Sequence, residues 1–158
     1  MSKFVCYFII LLVHSNQILA EDVFDKLSSK NWQGKGTLMG APASFEMSWK
    51  EVLNGQFMHL HFNNKVLLKN NKTYTFNAHA YYKIINEDEI QGSWFDSRGT
   101  TFPLTGKIES NQLTINWGSV DTEQGRTIYQ TKIKETVEVI DFVLKDGKYI
   151  EFGRAHYQ

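Results

Sequence analysis

Two histidines, His59 and His61, are the residues whose spacing best suits metal binding. Residues two apart in a β-strand point to the same side, so both imidazoles would face one way, as ligands of one metal ion must. Met58, Leu60 and Phe62 alternate with them and form a better candidate for the buried face, which turns the histidines toward solvent. Because no further ligands at fixed spacing accompany the pair, we predict no metal site, with a site completed by a third histidine as the alternative.

The sequence contains acids and bases but no pattern typical of a catalytic site. It has no Gly-x-Ser-x-Gly elbow, no His-Glu-x-x-His helix and no phosphate-binding glycine loop, and its single cysteine, Cys6, lies in an N-terminal apolar run. Glu46, Asp96 and Glu151 could act together only if the fold assembled them, so surface charge and turn capping are the simpler roles. A hydrolase or isomerase acting on an apolar substrate stays open through an inward Glu151 paired with an arginine such as Arg126 or Arg154.

Apolar binding is the third kind of chemistry that the residues allow. Ala78 and Ala80 are neighbours on the apolar face of an alternating segment and leave space, which side chains would fill in a packed barrel and a ligand in a carrier. Aromatic residues on such faces form core first and line pockets second. The predicted ligand-binding residues are Met47, Trp49, Ala78, Ala80, Tyr82, Trp94, Leu104, Trp117, Tyr129, Tyr149 and Arg154.

A sheet of short antiparallel strands is needed to position these residues. Residues 44–50 alternate strictly between apolar and polar, Asn54-Gly55 is typical of a tight hairpin, and similar signals divide the rest of the chain into about ten strands. Residues 21–30 carry apolar residues at helical spacing and are predicted to form a short helix at one barrel mouth. The predicted fold class is all-β: a single antiparallel up-and-down β-barrel with a short N-terminal helix, or, alternatively, a two-sheet sandwich.

Barrel closure is predicted from the two ends of this sheet. Glycine inside a strand allows a bend or a close approach, and Gly34 and Gly36 follow Trp32 at alternate positions of the first strand. The last strand, residues 148–157, must return beside the first. We expect Arg154 to lie over the ring of Trp32 there, in a cation–π contact.

The N-terminus has the order of features typical of a signal peptide. A basic start, an apolar run too short to span a bilayer and a small residue at Ala20 predict cleavage after residue 20, leaving one domain, residues 21–158. The expected protein is exported, periplasmic or secreted, with no membrane segment after cleavage and no disulfide. Equal numbers of basic and acidic residues, 17 each, argue against a nucleic-acid partner. The sequence does not indicate an oligomeric state.

Three short motifs resemble the calycin superfamily of lipocalins, fatty-acid-binding proteins and nitrobindin-type barrels. They are Trp32-x-Gly34-x-Gly36, the segment Gly92–Gly99 and Arg154 in the last strand, and the chain is most similar to bacterial lipocalin-like domains of uncharacterised function. The resemblance implies a carrier or sensor for a small hydrophobic ligand. Through nitrobindin it also implies a haem alternative, for which Tyr149 or His156 would be the ligand. A filled barrel that acts through its surface is a further possibility.

Overall fold

The computed structural model describes residues 17–69, 72–86, 88–133 and 135–158, with side chains from Val23 onward. These residues form one helix, α1 (Gln17–Ser28), and ten strands. The strands are β1 (Trp32–Leu38), β2 (Ala41–Val52), β3 (Phe57–Leu67), β4 (Thr73–Ile84), β5 (Glu89–Asp96), β6 (Thr101–Glu109), β7 (Gln112–Trp117), β8 (Gly125–Lys132), β9 (Thr136–Lys145) and β10 (Lys148–Tyr157).

The strands form a closed barrel in which each pairs with its sequence neighbours. Every pair is antiparallel, and β1 bonds to β2 on one side and to β10 on the other. Full closure leaves no edge strand with unpaired backbone groups. The predicted fold class, an all-β up-and-down barrel of about ten strands with a short N-terminal helix, is confirmed, and the sandwich alternative is wrong.

Alternation in the sequence becomes alternation between the inside and the outside of the barrel. In β6 the side chains of Phe102, Leu104 and Ile108 are buried, while Pro103 and Lys107 between them are exposed. Because successive strand residues point to opposite faces, each strand contributes one row to the interior. Burial of these rows is the main favourable contribution to folding.

The two glycines of β1 allow the barrel to close tightly. A Cβ atom on Gly36 would stand 1.9 Å from the carbonyl oxygen of Arg154, and one on Gly34 would stand 2.8 Å from the ring of Tyr157. Both distances are too short for non-bonded atoms, so a Cβ at Gly36 would displace backbone and one at Gly34 would displace the ring of Tyr157. The role predicted for the two glycines, close approach of neighbouring chain, is therefore confirmed.

The expected contact between Arg154 and Trp32 is wrong. Arg154 pairs with Thr37 across the β1–β10 ladder, whereas Trp32 is five residues further along β1, which corresponds to roughly 16 Å of strand. The cation over the ring of Trp32 is Lys30, whose Nζ lies 4.6 Å from the ring centroid. The prediction failed because the sequence does not specify the register between the first and last strands.

Helix α1 closes one end of the barrel, which we call the closed end. Val23, Phe24 and Leu27 are buried in the barrel core, and the indole nitrogen of Trp32 donates a 2.7 Å hydrogen bond to the carbonyl of Leu27. The ring of Phe24 packs 5.9 Å from that of Trp49. The amphipathic spacing in residues 21–30 thus predicted the plug correctly.

The helix begins before the predicted cleavage position. Residues 1–16 of the predicted signal peptide lie outside the described residues, and its last four residues form the first turn of α1. Cleavage after Ala20 would leave Glu21–Ser28, which includes all three residues that plug the barrel. Within the described part of the chain, no helix is both long and apolar enough to cross a membrane.

Candidate functional site

The barrel interior has two different halves. In the half next to α1, the closed half, the inward side chains are almost completely shielded from solvent. The largest of them are Trp32, Trp49, Leu60, Tyr82, Ile90 and Tyr157. Aromatic contacts, such as that between Trp49 of β2 and Tyr129 of β8 at 5.2 Å, join opposite parts of this half. The closed half is therefore a packed core with no space for a ligand.

In the opposite half, the open half, many inward side chains remain partly exposed. The residues that share this property are Phe62, Phe76, Trp94, Trp117, Asp141, Val143 and Phe152, and together they define what we call the open chamber. Strand alternation points the first six of them inward, and Phe152, at the bulge of β10, contacts the inward ring of Trp117. Solvent therefore reaches the interior through the mouth opposite α1.

Aromatic rings form two walls of the open chamber. On the β3–β5 side, Phe62, Phe76 and Trp94 lie with their ring centroids 6.2 to 6.3 Å apart. On the other side, Trp117 lies 5.5 Å from Phe102 and 6.5 Å from Phe152. Aromatic faces of this kind bind apolar groups by burial and organic cations through their negative faces.

Asp141 places a carboxylate in this aromatic chamber. Thr127 donates a 2.7 Å hydrogen bond to its Oδ1, while a Cβ atom on Gly153 would stand 3.2 Å from its Oδ2. Burial raises the pKa of Asp141 to about 6, although the bond from Thr127 partly opposes this shift. No arginine, lysine or histidine among the described residues forms an ion pair with it. Asp141 is thus a carboxylate without a counter-charge.

Three tyrosines of the closed half lie close enough to Asp141 for its charge to affect their pKa values. Burial raises the pKa values of Tyr82, Tyr129 and Tyr157, and the charge of Asp141 raises all three further. Asp141 therefore lies at the boundary between the packed half and the open chamber, beside tyrosines that stay protonated at neutral pH.

Asp96, at the mouth, differs from Asp141 because its charge is paired. Arg98 donates hydrogen bonds from Nε and Nη2, the shortest at 2.7 Å, and Trp94 donates from its indole nitrogen at 3.1 Å. Burial opposes ionisation of Asp96, but these bonds outweigh it and lower the pKa. The guanidinium of Arg98 also lies 5.4 Å from the ring centroid of Phe76. These contacts fix the β5–β6 turn over one aromatic wall.

Two buried side-chain polar atoms of the described residues have no hydrogen-bond partner: Trp49 Nε1 and Asn64 Oδ1. Trp49 lies in the packed closed half, among the rings of Phe24, Tyr82 and Tyr129. Asn64 lies in the open half, pairs with Phe45 and Phe76 across the ladders, and is only 4% exposed. An unpaired buried amide oxygen is costly and indicates a position where a hydrogen-bond donor is missing.

Most of the predicted ligand-binding residues do point into the barrel. Met47, Trp49, Ala80, Tyr82, Leu104 and Tyr129 belong to the buried core, so the aromatic ones among them act first as packing. Trp94 and Trp117 line the open chamber and are partly exposed. Ala78 and Ala80 are 1% and 0% exposed, so neighbouring side chains fill the space that we expected them to leave.

Tyr149 and Arg154 do not face the interior. A β-bulge between Glu151 and Gly153 shifts the alternation of β10, so that Gly153, Ala155 and Tyr157 point inward. Tyr149 lies outside with its ring 4.3 Å from the guanidinium of Arg126. No residue pattern indicates the bulge, because residues 148–157 alternate acceptably in either phase.

Arg154 belongs to an ionic cluster on the outer surface. It donates 2.7 Å bonds to Glu138 and Glu151, and Lys132 also pairs with Glu138. His156, the other residue considered for haem, lies outside as well, with its side chain 68% exposed. The outward direction of these groups removes the residues on which the haem and enzyme alternatives depended.

The histidine pair lies on the solvent side, as predicted. His59 Nε2 is 2.9 Å from His79 Nδ1, and the rings of His61 and His79 have centroids 4.7 Å apart. Tyr81 packs beside His59 at 4.7 Å. Among the residues that the structure describes, no group of three or more His, Cys, Asp or Glu side chains is arranged to hold a metal ion.

Asp141 is the main residue that the sequence analysis missed. It lies between Val139 and Val143 in the inward row that begins at Val137. A single acidic residue in an otherwise apolar alternating row was the signal that could have revealed it. Phe62, Phe76 and Phe152 were missed for a different reason: they look like core residues until the two halves of the barrel are distinguished.

Neither the protein-family models nor the curated proteins compared with this chain give a match. Its class is therefore defined by the structure alone. It is a closed ten-stranded antiparallel barrel with a helix at one end and, at the other, an aromatic chamber open to solvent around one unpaired carboxylate.

Proposed function

We propose that this protein is an exported, non-enzymatic barrel that binds a small molecule with an apolar body in the open chamber. One observation carries the proposal: most inward side chains are buried in the closed half, whereas several in the open half are partly exposed. Exposed aromatic surface inside a concave site gains about 25 cal/mol for each Å² that a ligand covers.

The packed closed half limits the size of the ligand. Trp49, Tyr82 and Tyr129 contact one another across the interior, with centroid distances of 5.3 and 5.2 Å, and they block passage toward α1. A long acyl chain that ran the length of the barrel would clash with these rings. The geometry therefore favours a compact ligand that enters only from the open mouth.

A carrier or sensor is favoured over an enzyme by the position of the candidate acid–base groups. Glu151 and Arg154 bond to each other on the outer surface, so they are not available to a ligand in the interior. Export is proposed from the N-terminal pattern in residues 1–20 and from the lack of cysteine in residues 21–158.

The first measurement is native mass spectrometry of the protein purified after export, with an absorption spectrum. We expect a co-purifying small-molecule mass without a Soret band. Binding of the neutral fluorophore N-phenyl-1-naphthylamine then tests the site in the protein stripped of that molecule. We expect saturable fluorescence enhancement.

Two adjacent residues of β9 provide a matched pair of variants. Val143 points into the open chamber, whereas Leu144 points outward, opposite Tyr149. Val143→Trp should fill the chamber and weaken fluorophore binding by at least about tenfold, while Leu144→Trp should leave it unchanged. Equal binding by both variants, with both still folded by circular dichroism, would contradict the proposed site.

A further inference from the structure

Below the rim of the open mouth, the inward-facing charges of the described strands are of one sign. They are Asp96 and Asp141, while Arg126 and Arg154 lie on the outer surface. Lys145 and Lys148 share the inward phase of Val143 but lie exposed at the rim, where β9 ends and β10 begins. Arg98 neutralises Asp96. Below the rim, Asp141 alone is therefore available to a ligand as a charge, and it is negative.

The other available polar atom in this half is also an acceptor. Asn64 Oδ1 is buried, inward-facing and without a donor, and Asp141 Oδ2 makes no hydrogen bond with the described residues. Both groups need N–H or O–H donors to compensate for their removal from water. A ligand that brought only acceptors would leave them unpaired and would add repulsion.

We propose that the open chamber is selective for small amphipathic amines, with the ammonium group on Asp141 and the apolar body against the aromatic walls. This inference rests on the proposed function and names the class of ligand. Trp94 and Trp117 supply partly exposed aromatic surface, which attracts an organic cation as well as an apolar group. The carboxylate supplies a charge-assisted hydrogen bond, which is about twice as strong as a neutral one.

Fatty-acid-like anions are disfavoured by the same features. Binding of a carboxylate away from bulk water needs a cation or several donors, and below the rim the described part of the chamber offers the carboxylate of Asp141 instead. Arg98 does not serve this purpose because Asp96 holds it through Nε and Nη2. The chamber thus excludes anions by charge as well as accepting cations.

Three probes with one apolar body separate the effect of the head group. They are 2-phenylethylamine, which is a cation at pH 7.5, 2-phenylethanol, which is neutral, and 3-phenylpropanoate, which is an anion. Isothermal titration calorimetry should give an affinity for the amine at least about tenfold above that for the alcohol, with the anion weakest. Amide chemical-shift changes should cluster on the strands around Asp141.

Two variants test whether Asp141 causes the preference for amines. Asp141→Asn keeps the acceptor for Thr127 but removes the charge, and it should reduce amine affinity to that of the alcohol without changing alcohol affinity. Asp146→Asn also removes one negative charge, from the exposed β9–β10 turn at the same end of the barrel, and it should change neither the amine affinity nor the alcohol affinity. Circular dichroism of both variants confirms that they are folded.

The outcomes separate this inference from the proposed function. If the alcohol binds and Val143→Trp abolishes its binding, but the amine has no advantage, the proposed function stands and the amine preference is wrong. If Asp141→Asn leaves the amine affinity unchanged, the assignment to Asp141 is wrong. If none of the three probes binds the wild-type protein, both proposals are overturned.

Discussion

The ring of Tyr157 lies against Gly34 where the last strand meets the first: a Cβ atom at position 34 would stand 2.8 Å from Cδ1 and Cε1 of the ring. Tyr157 is 2% exposed, and its ring also packs 6.2 Å from that of Phe45. A buried ring thus fills the space that the missing side chain of the glycine leaves at the seam of the barrel.

Substitution of this glycine should destabilise the closure. Gly34→Ala must displace the ring of Tyr157, and we expect a loss of about 1–3 kcal/mol in the free energy of unfolding by urea. Gly36→Ala should cost more, because its Cβ would meet the backbone oxygen of Arg154. Lys35, exposed between them, is the control, and Lys35→Ala should change stability by less than about 0.5 kcal/mol. Equal effects at all three positions would contradict the packing described.

Trp32 should be important both for its volume and for its hydrogen bond. Trp32→Ala should lower the free energy of unfolding by about 3–5 kcal/mol, as large core truncations do. Trp32→Phe keeps an aromatic ring but leaves the carbonyl of Leu27 without its donor, and we expect a loss of about 1–3 kcal/mol. Trp117→Phe, at a partly exposed ring of the chamber, should cost less than Trp32→Phe in the same urea titrations.

Asp141 should reduce stability at neutral pH. The folded-state pKa is about 6, above the ordinary value of 3.8, so the folded protein holds this proton more tightly. The stability that this tighter proton binding contributes is present below about pH 4 and is lost as the pH rises through 6. Thr127 and the buried tyrosines Tyr82, Tyr129 and Tyr157 face the carboxylate, and none of them loses its proton in this range.

Asp141→Asn should therefore stabilise the protein at pH 7.5 by about 1–3 kcal/mol and by much less at pH 4. Urea unfolding midpoints at the two pH values measure this difference. A variant that is less stable than the wild type at pH 7.5 would show that the carboxylate has a partner and would also weaken the case for a ligand amine.

The hydrogen bond between His59 and His79 should respond to acid. One of the two facing nitrogens must be unprotonated, so the pair cannot carry two charges and stay bonded. Desolvation, then the charges of His79, His61 and Lys50, lower the pKa of His59 below 6.5. The unfolded chain thus takes up this proton more readily, and stability should fall as the pH drops below about 6.5.

Nuclear magnetic resonance titration of the imidazole protons measures this pKa directly. His79→Ala removes the hydrogen-bond partner and one charge, and it should raise the pKa of His59 toward its ordinary value. His156→Ala, on β10, is the matched control and should leave the titration of His59 unchanged. An unshifted titration of His59 in the wild type would show that the pair does not form in solution.

Alternation and turn chemistry were sufficient to predict the barrel, but not its register. Trp32, Gly34 and Gly36 identified the first strand because glycine within a strand indicates a bend or a close approach of neighbouring chain, which is a local property of the sequence. The partner of each residue depends on closure of the whole sheet, and this is why Arg154 was predicted over Trp32 although Lys30 takes that position. The bulge at Glu151–Gly153 likewise reversed the direction of Tyr149 without any local signal.

The candidate site was harder to predict than the fold, because its defining property is a difference in packing. Trp49 and Trp94 both lie on apolar strand faces, yet one is in the core and the other is in contact with solvent. Only the position of α1 distinguishes them, since the helix fills one end of the barrel. Asp141, by contrast, was recognisable from its inward phase in β9 once that strand was placed.

The division of the interior also separates the positions that hold the molecule together from those that would contact the proposed ligand. The closed half contains the helix plug and the largest fully buried side chains, so the cohesion of the barrel depends mainly on residues away from the mouth. Residues such as Phe62 and Val143 can then change with little effect on folding. Related barrels could therefore evolve to bind a different ligand through a few substitutions at the mouth, while the closed half stayed unchanged.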